Sequence, residues 1–223
     1  MFTNNPLFGF FLVVSTYLLG VYLNKKTGLI FFNPVLISLL SCVAVLLLLD
    51  ISYDEFMLGA RNLQFFIAPA TCVLALSIYR QRTILGQFFI PVVLGCLASA
   101  IISISASFIL GNLFGLQDVI IKSSVASSVT TPIAMDVTES LGGIISIAIL
   151  CVVITGIAGA VFSEYLIKLL RIKNPVEMGV AIGASSHVVG TTKAVELGEI
   201  QGAMSGVAIG VAGIITVILT MFL

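Results

Sequence analysis

The chain has 223 residues, 59% hydrophobic and 9% charged, with ten Lys and Arg matched by ten Asp and Glu. Soluble domains carry about 25% charged residues, so a water-facing globule is excluded, and a net charge of zero without a basic stripe offers nucleic acid no surface. The composition, with a mean hydropathy of +1.22, describes an all-α polytopic membrane protein.

Apolar runs at 7–22, 28–49, 63–79, 86–114, 143–169 and 200–222 approach or exceed the ~18–20 residues that cross a bilayer. Two mixed stretches, 118–141 and 176–198, bring the expectation to about seven or eight membrane segments. The opening MFTNNPLFGFFLVV has no basic n-region and no small-residue cleavage site, so 7–22 reads as a retained helix. Lys25 and Lys26 follow that helix, and the loop at 50–62 is acidic on balance, with Asp50, Asp54 and Glu55 against Arg61. Arg80 and Arg82 follow the third run; Lys168, Arg171 and Lys173 follow 143–169. Cytoplasmic loops favour Lys and Arg, and all three basic loops fall on one side only if 118–141 dips in and returns. The charges therefore predict a re-entrant 118–141. For 176–198, crossing and re-entrance both remain open.

With that topology, 28–49, 63–79 and 86–114 run opposite in sense to 143–169, 176–198 and 200–222. Each triplet has a broken middle member, marked by Pro69 in one and by the glycines and hydroxyls of 183–192 in the other. An inverted repeat with two discontinuous or re-entrant helices is expected, a recurring plan of secondary transporters. The whole chain then reads as a single membrane domain, 1–223. It comprises an N-terminal helix (1–27), a first half (28–115), a broken segment (116–142) and a second half (143–223) containing the break of 176–198.

Irregular backbone at bilayer depth needs cover from protein or a water-filled cavity. In SSVASSVTTPIAMDVTESLGG, Pro132 predicts a helix restart with Thr130 or Thr131 as N-cap, ended by Gly142–Gly143. In GASSHVVGTTKAVELGE, Ser185 and Ser186 close one helix, and Thr191 and Thr192 are expected to cap another beginning near Lys193. Amides and hydroxyls at a helix start suit a carboxylate or phosphate. The predicted binding set is Ser128, Thr130, Thr131, Ser186, His187, Thr191, Thr192 and Lys193, with Asp136, Glu139 and Glu196 around it or in proton coupling. A charge facing lipid at mid-bilayer costs about 2.5–3.5 kcal/mol, so these charges should face protein, water, ligand or the interface. Blander readings stand beside this one. Lys193 and Glu196 can form a structural pair, His187 can be a packing residue of fixed tautomer, and single hydroxyls often only bond backbone. Cys42, Cys72, Cys96 and Cys151 sit singly in apolar runs and read as packing residues, with no metal or cofactor implied. No nucleophile–base spacing points to an enzyme.

SVTTPIAMDVTESLGG (128–143), VITGIAGAV (153–161), LLRIKNP (169–175) and SSHVVGTTKAVELGEIQGAMSGVAIG (185–210) together resemble the LrgB/CidB family of bacterial membrane proteins. FNPVLISLL (32–40) and ISYDEFMLGARNLQFFIAPATCVLALSIYRQ (51–81) agree with it. The resemblance implies a cytoplasmic membrane location, a fold like that of cation/proton antiporters, and a small partner of the LrgA/CidA type. It also implies a homo-oligomer, with a dimer favoured. Family members were named for holin- and antiholin-like control of murein hydrolase export and lysis; others are linked to pyruvate, and a plastid relative to glycolate and glycerate. The chain departs from the family where Ala126 and Ser127 replace a usual Pro-Lys, where Ser77 replaces a proline, and where Val188 replaces a glycine. The leading expectation is transport of a small monocarboxylate. The alternatives are a holin- or antiholin-like regulator of lysis, and a scaffold inactive without its partner.

Overall fold

In a computed structural model, residues 7–27, 32, 34–66, 69, 72–73, 76, 79–80 and 82–223 are described. The chain divides into two compact units, Met1–Cys72 and Val73–Leu223. The break expected around Pro69 and Ser77 falls largely outside the described residues.

The first unit contains α1 (Phe8–Thr27), α2 (Pro34–Leu48) and α3 (Tyr53–Gln64). Small residues let these helices approach. A side chain at Gly9 would strike the backbone of Phe56 and Ala60, and one at Gly20 would strike Pro34. Thr16 sits at the α1–α2 contact, its hydroxyl 3.0 Å from Ser38 Oγ and 3.1 Å from Cys42 Sγ. The stretch 50–62, expected as a loop, is instead largely the helix α3. Ser52 caps it by accepting the Glu55 amide at 3.3 Å, Asp54 and Glu55 lie in the first turn and Arg61 in the last. That placement complements the helix dipole at both ends.

The second unit contains α4 (Arg82–Gln87), α5 (Phe89–Leu113), α6 (Asp118–Ser124), α7 (Thr131–Ser140), α8 (Ile145–Leu169), α9 (Pro175–Leu197) and α10 (Glu199–Thr220). By length and composition α1, α5, α8 and α10 can cross a membrane, and α2 is a shorter apolar helix. A 25-residue helix such as α5 or α8 is about 37 Å long, enough for a ~30 Å hydrocarbon core.

Between the spans the chain folds back on itself twice. After α5, α6 runs back beside it: Ile121 packs on Gly111, and Ser107 bonds the Ser124 carbonyl. The chain turns at 125–129, and α7 returns so that Gly143, beside Thr138, packs on Ser123, whose hydroxyl accepts the Ile144 amide at 2.7 Å. Gly142, at φ 72°, stops α7 with amides bonded back to Glu139 and Thr138, the Schellman geometry that a glycine permits. The segment 118–141 thus leaves and re-approaches the same end of the unit.

The second fold-back lies inside α9. His187 has φ 42° and ψ −143°, and the helix reverses there. Ile182 lies 3.2 Å from where a side chain at Gly190 would begin, and Ile182 clusters with Ala194, Met178 and Leu197. In a straight helix residues 182 and 194 would be about 18 Å apart. Both Gly183, in the first arm, and Thr191, in the second, touch Ser205 of α10. The segment 176–198 is therefore a helical hairpin with arms 175–186 and 188–197.

Candidate functional site

Three serines spaced i, i+4, i+8 on α5 organise the meeting of the hairpins. Ser99 Oγ donates to the Ala184 carbonyl at 3.0 Å, near the end of the first arm of α9. Ser107 Oγ donates to the Ser124 carbonyl at 3.1 Å, at the end of α6. The last four carbonyls of a helix lack intrahelical partners; Ser99 serves one of them at Ala184, and Ser107 adds a second donor to the Ser124 carbonyl, which also accepts the Ser127 amide at 3.1 Å. Between them, Ser103 lines a cavity of about 600 Å³.

That cavity lies between α5 and the first arm of α9, with Thr155 of α8 and Ser128 of the 125–129 turn on its wall. Its lining is mostly apolar. Ser99, Ser103, Ser128, Thr155 and Ser185 contribute hydroxyls, Glu177 contributes a carboxylate, and no Lys, Arg or His lines it. Ser128 of one hairpin and Ser185 of the other thus face one space. Both tips also converge on Val152 of α8. Ala126 and Val129 pack with it, and His187 Nε2 lies 2.9 Å from its carbonyl. A carbonyl only accepts, so Nε2 carries the proton.

Gly156 and Gly159 make this approach possible. A side chain at Gly156 would begin 2.5 Å from the His187 ring, and one at Gly159 would overlap Ser186. His187 and Ser186 are buried. Ser186 Oγ is 3.0 Å from Ser185 Oγ.

The remaining predicted residues lie elsewhere. Thr130 occupies the N-cap position of α7, as expected, but its hydroxyl makes no cap bond; neither it nor half-buried Thr131 lines the cavity. Thr191 and Thr192 are not caps. The helix restarts at His187, four residues earlier than Thr191, and their hydroxyls bond back to the His187 and Val189 carbonyls at 2.9 and 2.7 Å. Thr191 also meets Ser205 Oγ at 2.7 Å. Lys193 is 3.1 Å from both Glu164 and Glu196, and Glu164 is 2.8 Å from Lys168. Its positive charge is therefore matched by two carboxylates. Asp136 and Glu139 are exposed on α7 and do not line the cavity. Ser99, Ser103, Thr155 and Ser205 were missed as site residues. The i, i+4, i+8 spacing of hydroxyls in α5 was the readable signal for the α5 pair.

Helices of spanning length joined by folded-back hairpins, with polar tips gathered over α8, define a multi-pass helical membrane protein that lies in a lipid bilayer. The sequence model of the LrgB-like family matches residues 13–223, so the chain belongs to that family. It is 29% identical over 217 residues to the antiholin-like protein LrgB of Bacillus subtilis (strain 168), covering 97% of this chain and 94% of that protein. It is 28% identical, with the same coverage, to the antiholin-like protein LrgB of Bacillus cereus (strain B4264). The Bacillus subtilis protein YxaC is 32% identical over 204 residues, 92% of this chain and 89% of its own. No solved structure matches the chain.

Proposed function

We propose that the chain is an antiholin-like regulator acting in the bacterial cytoplasmic membrane. The similarity over nearly the whole length to proteins named antiholin-like carries this reading, and favours it over the transport expected from sequence. In this reading the product is restraint of lysis and of murein hydrolase export, and a small LrgA/CidA-type protein is the natural partner, in a homo-oligomer. The test is expression in a bacterium deleted for its own homologue. Lysis under a membrane-depolarising stress and extracellular murein hydrolase activity should both fall. Unchanged lysis, with the chain present in the membrane, would exclude the regulator.

A second reading, movement of a small monocarboxylate, is supported by the hairpins. From their own ends of the unit the tips reach about 15–18 Å inward, close to half of a ~30 Å core. α5 with its hairpin and α8 with its hairpin run in opposite senses, which supports an inverted repeat bounded differently from the expected 28–115 against 143–223. The polar groups available to a solute are Ser128 and Ser185, the other cavity hydroxyls, and free amides at the start of each returning helix; Ser186 and His187 hold the tip. Uptake of labelled pyruvate or glycolate into proteoliposomes, with and without the partner, tests this reading. Carboxylate-dependent uptake lost in Ser128→Ala and Ser185→Ala supports it; dye leakage indifferent to carboxylate, or no flux at all, removes it.

A further inference from the structure

A second cavity, of about 560 Å³, lies on the other side of the first arm of α9, between that arm and α8. It shares Thr155, Ala181 and Ser185 with the first. The two are therefore grooves flanking one low ridge, on which Ala181 and Ser185 are exposed. Their outer walls face away from the protein: Ile102 in one groove and Phe162 and Leu170 in the other are each more than half exposed. Along α5 the first groove extends from Pro91 to Ser103, and along α8 the second extends from Ile154 to Leu170. Those lengths are about 18 and 24 Å, against about 15 Å for one leaflet of a ~30 Å core. Both grooves reach the same end of the unit, with Val176 and Glu177 lining one and Leu170 and Ile172 the other beside the loop 170–174.

We infer that one anionic phospholipid straddles the first arm of α9, with an acyl chain in each groove and its headgroup at Arg171 and Lys173. Two apolar grooves, each at least as long as one leaflet, on either side of a ridge of short side chains can hold two alkyl chains joined at one head. The charge at the open end selects the head. Arg171 and Lys173 are exposed and hold no ion pair among the described residues. Arg171 is fixed at φ 55° in the turn that ends α8, its amide bonded to the Lys168 carbonyl. Two other charges lie nearby. Lys168 pairs with Glu164, whereas exposed Glu177, lining the first groove and 3.4 Å from Asn174 Nδ2, keeps its charge, so Arg171, Lys173 and Glu177 together leave one net positive charge for the head. This inference does not rest on the regulator reading, and it competes with the carboxylate reading, because an acyl chain in the first groove fills the space whose hydroxyls would meet a solute.

The chain has no tryptophan, so a single introduced indole reports on one groove. Ile102→Trp and Phe162→Trp variants would be reconstituted in vesicles of phosphatidylcholine with phosphatidylglycerol, either lipid brominated at mid-chain. Each juxtamembrane cation is worth about fivefold in affinity for anionic lipid. Quenching at both positions should therefore favour brominated phosphatidylglycerol by roughly five- to twentyfold at low salt. The Arg171→Gln/Lys173→Gln double substitution should abolish that preference, and Ile109→Trp, outside both grooves, should show none. Equal quenching by the two lipids overturns the inference, as does a preference in one groove only. So does an unquenched indole at both positions, which would put a protein segment or a second copy there. Native mass spectrometry of the unsubstituted chain gives the independent reading: one phosphatidylglycerol retained where phosphatidylcholine is lost.

Discussion

Ser99 and Ser107 act from one face of α5, two turns apart, on the carbonyl ends of different hairpins. Removing the Ser99 hydroxyl takes a partner from the Ala184 carbonyl, a loss of about 1–3 kcal/mol; the Ser124 carbonyl keeps the Ser127 amide at 3.1 Å when Ser107 is truncated, a loss of about 0.5–1.5 kcal/mol. Ser99→Ala and Ser107→Ala should lower stability by those respective amounts in a denaturant titration in micelles. Their effects should be nearly additive, because the sites are about 12 Å apart. Ser103→Ala, whose hydroxyl lines the cavity, should change stability by less than ~0.5 kcal/mol. His187 gives a sharper residue-level prediction. In an ordinary helix Ala is about 1 kcal/mol better than Gly. At φ 42° and ψ −143° the order should invert, with His187→Gly unfolding later than His187→Ala, since both lose the bond to Val152 and only Ala keeps the backbone strain of about 1–3 kcal/mol. The standard helical ranking at this position would contradict the reversal. Sequence singled out His187 and its neighbouring hydroxyls. It did not locate the reversal, because ASSHVVGTT offers several hydroxyl caps and local propensity has no preference for a histidine at positive φ.

At the level of elements, the apolar runs located α1, α5, α8 and α10 to within a few residues, because a membrane span declares itself by length. The helix α3 was missed although Ser52 followed by Glu55 is a helix-start signal; its charges were read as a loop. The α9 hairpin is set by its neighbours. Gly156 and Gly159 of α8 leave room for its tip, and the ion chain Lys168–Glu164–Lys193–Glu196 holds its second arm to α8. A Gly159→Leu substitution should displace the tip and destabilise the protein by about 1–3 kcal/mol, with faster amide exchange confined first to 188–197. Glu164→Gln should act on the same arm more weakly, by about 1 kcal/mol or less, because Glu164 is partly exposed and such pairs are solvent-screened. Unaltered exchange in 188–197 in both variants would mean that the arm is held by α10 alone.

For the molecule as a whole, the distribution of Lys and Arg predicts a re-entrant 118–141, and α6 and α7 form a fold-back there; the side of the membrane is a separate question. The bounds of the repeat were not legible, because the halves share little sequence and the hairpin tips are recognised by contacts rather than by hydropathy. Topology is open to direct measurement. In a cysteine-free background, Gln117→Cys and Ser140→Cys should react with an impermeant thiol reagent from one side of the membrane, and Lys173→Cys and Glu199→Cys from the other. All four positions are exposed. Opposite-side labelling of positions 117 and 140 would mean that this segment crosses. The serine ladder of α5 has a consequence for biogenesis. Chains emerge amino end first, and domains take shape as they do. Ser99 and Ser107 leave the ribosome before either fold-back exists, so the docking points for both severed helix ends are laid down before the ends themselves arrive. A nascent chain halted just past residue 143 would already contain one complete hairpin and its anchor, while the anchor for the other stood waiting.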